Sequence, residues 1–187
     1  MPEAFNERRA TQIAARYLSK AGGRMREIIL VKFMYVTERA ALERWGYPLT
    51  WDRLCRLPLG PAPSYILNLA SGNTLTYDGS RYWSEHIDHV RERGQRREIP
   101  WCVLRVPTGA DTLPKAALDL IDEVYETYKS VDIVDFVHRL PEHIDPNGSS
   151  LPLPYADVLR EVGYQDDANE RGRELEGIAH IHEVLGC

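Results

Sequence analysis

His86 and His89 stand as H-x-x-H, flanked by Glu85 and Asp88. Neutral imidazole and carboxylate are good ligands for zinc and other transition metals. On a helix the two rings share a face, whereas on a strand they point to opposite faces. A structural site wants four ligands, and no Cys or His pair elsewhere supplies the remainder, so no metal is expected. His180 and His182 sit on different helix faces and offer less. A Cys–His nucleophile is the second chemistry to consider. Cys55 lies in Leu-Cys-Arg-Leu and Cys102 in Pro-Trp-Cys-Val-Leu, apolar settings where a thiol packs as a small hydrophobe. No P-loop, GxGxxG, GxSxG or HExxH occurs. No catalytic residue and no cofactor is expected; an enzyme using His86, His89 or Cys102 is the last of the alternatives.

Binding chemistry is better represented. Arg91, Arg93, Arg96 and Arg97 cluster with only Glu92 as an opposing charge. Arginine presents a planar, always-charged set of donors suited to carboxylate or phosphate. Tyr82 and Trp83 lie just upstream, and such side chains anchor interfaces because they bury large area around one polar handle. The plain alternatives are a solvated turn for the arginines and core packing for the aromatics, Trp45, Tyr47, Trp51 and Trp101 included. Exposure among Tyr47, Trp51, Tyr82 and Trp83 would mark a binding surface. A net charge of −5 argues against general affinity for nucleic acid. The first two helices are close enough for a helix-turn-helix, yet the second is too apolar to lie in a groove.

The elements that position these residues follow from periodicity. Ile13, Ala14, Tyr17 and Leu18 give a helix over 10–21, stopped at Gly22-Gly23. The next helix, 26–45, is apolar nearly all round at its start, as a central buried helix should be. A turn holding Pro48 follows, then the Gly60-Pro61 corner and a helix over 62–70, with Pro61 and Pro63 suited to its first turn. Strands are expected at 82–90 and 99–106, with 91–97 as the hairpin tip, although SEHIDHV also fits a helical turn. Helices are then placed at 113–128, 133–139, 154–162 and 170–185. The sum is an α+β fold, a mostly helical single domain with one small antiparallel β-sheet. Residues 1–165 form the body, and 166–187 form an acidic helix of local charge −4 packed on it or extending from it.

No apolar run approaches the ~20 residues needed to cross a bilayer. The opening MPEAFNERRA lacks an apolar secretory core, and three cysteines without a CxxC pair suit a reducing compartment. The expected location is cytoplasmic, with no membrane partner.

Several motifs recur together in a fixed order: Lys32-Phe33-Met34-Tyr35, Thr37-Glu38-Arg39, Trp45-Gly46-Tyr47-Pro48-Leu49-Thr50 and Gly60-Pro61. Trp83, the 113–128 helix, His138-Arg139-Leu140-Pro141-Glu142 and Asp157-Val158-Leu159 continue the pattern. Over roughly 10–163 the chain resembles the Panacea domain, the SocA-like antitoxin family also seen in phage-associated proteins. Glu38 stands where the family commonly has aspartate, and His143 where it usually has tryptophan. On this resemblance Lys32, Tyr35, Arg39, Gly46, Pro48, Gly60 and Pro61 are structural motif residues. The resemblance implies a non-enzymatic bacterial antitoxin that binds a cognate protein toxin directly. Tyr82, Trp83, Arg91, Arg93, Arg96 and Arg97 are the first surface to examine, and the acidic terminal helix is the second. The runner-up role is an adaptor that hands the toxin to a cytosolic protease; a DNA-binding regulator would need a basic helix face that the chain lacks.

Overall fold

The computed structural model describes residues 5–73, 81–94 and 98–185. Helix α1 (Glu7–Lys20) starts three residues earlier than its apolar stripe suggests, because Asn6 Oδ1 accepts the Arg9 N–H at 2.8 Å and caps it. Strand β1 (Arg24–Arg26) leads directly into α2 (Glu27–Trp45), which ends at Gly46 with φ 74°. Eleven residues of α2 are buried, from Leu30 to Leu42, polar Lys32, Thr37 and Glu38 among them. This is the axis of the molecule: α1, α3 (Ser64–Ala70), α5 (Lys115–Tyr128), α6 (Ile133–His138) and α7 (Tyr155–Glu161) all pack against it.

Among the described residues two antiparallel three-stranded sheets close the remaining sides, one more than the sequence suggests. The first has the order β1-β5-β4, with β4 (Ile87–Arg93) and β5 (Glu98–Leu104) forming a hairpin. Met25, Cys102 and His89 lie in register across it, and this row faces the core. The second sheet runs β3 (Ala62–Pro63), β2 (Leu54–Arg56), β6 (Leu151–Pro152). Strands of two or three residues carry too little alternation to be legible in a sequence. Pro63 therefore belongs to a strand end and not to a first helical turn.

The segment expected as a strand over 82–90 divides. Tyr82–His86 is helix α4, and the strand begins at Ile87, so the helical alternative holds for SEH and the strand for IDHV. Helix α8 (Ala168–Leu185) lies on α7 with Ala168 and Leu175 buried. The two helices approach almost backbone to backbone: a Cβ on Gly172 would lie 2.6 Å from the Ala156 Cβ and 2.9 Å from its Cα. No helix among the described residues is long and apolar enough to cross a membrane.

Candidate functional site

One face of α2 carries Lys32, Tyr35 and Arg39, with Glu38 beside them, at the three-to-four-residue spacing that stacks side chains along a helix. Together they reach three loops, Tyr35 and Arg39 sharing one of them. Lys32 Nζ donates to the carbonyls of Gly60 (2.8 Å) and Pro61 (2.9 Å). It is 1% exposed, and burial pushes its pKa down to about 8. Gly60 sits at φ 89°, where a Cβ would meet Val137 Cγ2 at 2.9 Å, so the corner that Lys32 grips requires glycine twice over.

Tyr35 Oη and Arg39 Nε both donate to Glu142 Oε1, at 2.9 and 2.7 Å. Arg56 extends the lattice: Nε donates to the Glu142 carbonyl at 3.0 Å, and the guanidinium also reaches the Pro152 carbonyl (2.7 Å) and Asp157 Oδ2 (2.6 Å). One arginine thus joins β2, β6, α7 and the segment after α6. Glu38 accepts the Leu49 N–H (2.7 Å), the Thr50 N–H (2.9 Å) and the Thr50 hydroxyl (2.6 Å). Asp52 accepts the Tyr65 and Ile66 N–H groups at 2.8 Å each and so fixes the start of α3. Between these two carboxylates Trp51 holds φ 58°, a left-handed conformation that a non-glycine residue adopts only under constraint. Burial pushes both Glu38 and Asp52 upward, Asp52 to about 8.

The motif residues are therefore turned inward and matched with protein partners. Thr50, Glu142 and Asp157 are visible in the sequence as motif residues, but their partners are not. Asp52 and Arg56 stand outside those motifs. An arginine inside the apolar Leu-Cys-Arg-Leu run was the available signal for Arg56. Asp52 accepts from backbone thirteen and fourteen residues away, a spacing with no local signature.

The histidines and thiols fall into separate places. His86 ends α4, its Nδ1 3.0 Å from the Val106 carbonyl oxygen. His89 lies on β4 facing inward, its Nε2 3.3 Å from Glu27 Oε2. No group of three or more His, Cys, Asp or Glu side chains is arranged to hold a metal among the described residues. The Cys55 thiol is pushed up by burial and donates to the Ala62 carbonyl at 3.3 Å. Cys102 is fully buried and pushed up to about 12, the reverse of what a thiolate nucleophile needs. His143, in the place of the expected tryptophan, packs its ring 4.9 Å from that of His138, and both of its nitrogens are buried without a hydrogen-bond partner. Burial first, then the charges of His138, Lys32 and Arg56, push its pKa down and favour the neutral ring.

The expected partner surface comes apart into two regions. Trp83 is 3% exposed, its backbone N–H donating to Glu7 Oε1 at 2.9 Å, and it is core, not an anchor. Helix α4 turns it inward where the expected strand would have left its direction open. Tyr82 is half-buried, with the His86 ring at 4.5 Å and the Arg8 guanidinium over its face at 5.2 Å. Arg91 and Arg93 are exposed on β4 itself and not at a tip. Six residue steps of strand put Arg93 about 20 Å from the α4 end of β4. Arg96 and Arg97 lie outside the described residues. On the solvent face of this sheet, half-buried Ile99 and Trp101 lie across from Glu92 and Val90. The Arg24 guanidinium covers Trp101 at 4.0 Å and pairs with Glu92 at 2.7 Å.

A central helix whose polar residues latch three loops, with an arginine-bearing hairpin packed beside it, defines the scaffold. A family model described as antitoxin SocA-like, Panacea domain, matches residues 30–142, and the chain belongs to this family. The match opens two residues before Lys32 and closes on Glu142, the acceptor of the latch. No curated protein and no solved structure matches the chain.

Proposed function

We propose that the chain is an antitoxin that neutralises a cognate protein toxin by direct binding and has no reaction of its own. The observation that carries this reading is the direction of the signature. Lys32, Tyr35, Glu38 and Arg39 spend their polar groups on the protein's own loops, so what the antitoxin family holds in common is a scaffold, and its partner meets the outside. The exposed Arg91 and Arg93 supply charge for rapid capture.

A second reading, a proteolytic adaptor, is favoured by one feature. Asp166, Asp167, Glu170, Glu174 and Glu176 are all exposed and lie beyond the matched span. In an adaptor this strip touches a protease while the body holds the toxin.

Co-expression with the product of the adjacent reading frame tests both, scoring growth and co-purification together. Rescue with a stable complex is the expected result. Rescue accompanied by disappearance of the toxin, lost when those five acids become amides, supports the adaptor. No toxicity and no complex overturns both readings.

A further inference from the structure

The start of α2, the loop after β2, strand β5 and the start of α6 enclose a groove of about 730 Å³ on the flank of the molecule. Its apolar lining is Ile28, Ile29, Leu59, Ile99, Val131 and Val134. Leu59 is 58% exposed and Val131 48%. Single exposed apolar residues are ordinary, but two that converge on one concavity with four half-buried neighbours form a patch that calls for a partner. A pocket for a small molecule encloses most of its ligand. This trough is open along its length and suits a segment held by a larger body.

The charges around it select the segment. Three of the four charged residues on the rim are already engaged. Lys129 pairs with Glu126, Asp132 caps α6 by accepting the Val134 and Asp135 N–H groups, and Glu98 faces Arg91 at 3.9 Å. The Arg26 side chain is exposed and has no ion-pair or hydrogen-bond partner among the described residues. Across the hairpin, Arg93 stands opposite Glu98 and is likewise unpaired among them. The unmatched charge beside the groove is therefore positive, on a chain whose total is −5.

We infer that this groove receives an amphipathic segment of the toxin with acidic residues on its flank, apolar side chains in the trough and carboxylates toward Arg26 and Arg93. The inference rests on the antitoxin reading and adds the place and chemistry of the contact. Helix-in-groove recognition of this kind draws affinity from a few buried apolar anchors, while rim charge sets orientation and rate of encounter.

The test uses the full chain and the co-expressed toxin as probe. Leu59→Asp with Val131→Asp places two carboxylates in the trough, and Arg26→Glu reverses the rim charge. The exposure of all three keeps the expected change in melting temperature to about 2 °C. The double variant is expected to lose affinity by about 100-fold, and Arg26→Glu by about 10-fold with partial recovery at high salt. Arg26→Glu alone keeps the test readable if the double variant unfolds. Unchanged affinity in folded variants overturns the groove and leaves the antitoxin role standing. Absence of binding by the wild-type chain overturns both. Self-association of the wild type that these substitutions abolish, with toxin capture intact, assigns the groove to a second copy and overturns the inference as well.

Discussion

Replacing Glu142 with alanine removes the acceptor that Tyr35 and Arg39 share. Glu142 is 3% exposed, and Tyr35 is fully buried, so its hydroxyl loses its partner where water does not reach it. An orphaned buried hydroxyl costs about 1–3 kcal/mol. The Arg39 side chain is 19% exposed and regains some hydration, which places its share below the ~3–5 kcal/mol typical of a fully buried broken pair. Together these give a loss of about 3 kcal/mol, or about 6–12 °C in Tm for a chain of this size. The sharper number comes from a double-mutant cycle with Arg39→Met, read by urea unfolding. Once Arg39 is gone, removing Glu142 strands only the tyrosine, so the two substitutions couple by about 1.5–2 kcal/mol. A coupling under about 0.5 kcal/mol is the signature of a solvated surface pair and would refute the view that this motif latches the scaffold.

The remaining predictions probe other parts of the same construction. Lys32→Met is expected to flatten part of the pH–stability curve. The native ammonium releases its proton near pH 8, against an ordinary value of 10.5, so its contribution rises between those limits and is absent below pH 8, with a ceiling of about 3 kcal/mol. Asp52 works in the opposite sense: pushed up to about 8 from 3.8, it contributes stability below pH 4 that is lost as pH rises through 8, and Asp52→Asn should remove that slope in the same denaturation series. Gly172→Ala, which in an open helix gains up to ~1 kcal/mol, is expected to lose 1–3 kcal/mol overall through its clash with Ala156, seen as a lowered Tm. In a Cys187→Ser background, native protein should not react with a thiol reagent over minutes, while unfolded protein releases two equivalents, from Cys55 and Cys102. Rapid native labelling would contradict their burial.

Long helices were legible because apolar residues recur at the helical period in α1, α5 and α8 and nearly encircle the start of α2: all four lie within a few residues of their expected bounds. The mixed α+β class was also legible. What escaped was set by distance along the chain. Strand β2 exists because Ala62–Pro63 and Leu151–Pro152 come to its two edges, and no window around Leu54 contains that information. Arg56 and Asp52 acquire meaning only when residues up to a hundred positions away are folded beside them. Trp83 shows the opposite error. A tryptophan beside arginines reads as a binding anchor until the helix that carries it is seen to face the core. The motif letters themselves were visible, but not the reason for their spacing, which is that one helix face serves several loops at once. The groove left no trace in the sequence, since its lining comes from four separate segments.

Calorimetric titration of the purified chain into purified toxin, with toxin activity followed in a reconstituted assay free of proteases, tests direct neutralisation without the cell. A saturable complex whose stoichiometric point coincides with loss of toxin activity is the predicted result. Binding that leaves the toxin active, or no heat of binding at any accessible concentration, would contradict neutralisation by occlusion.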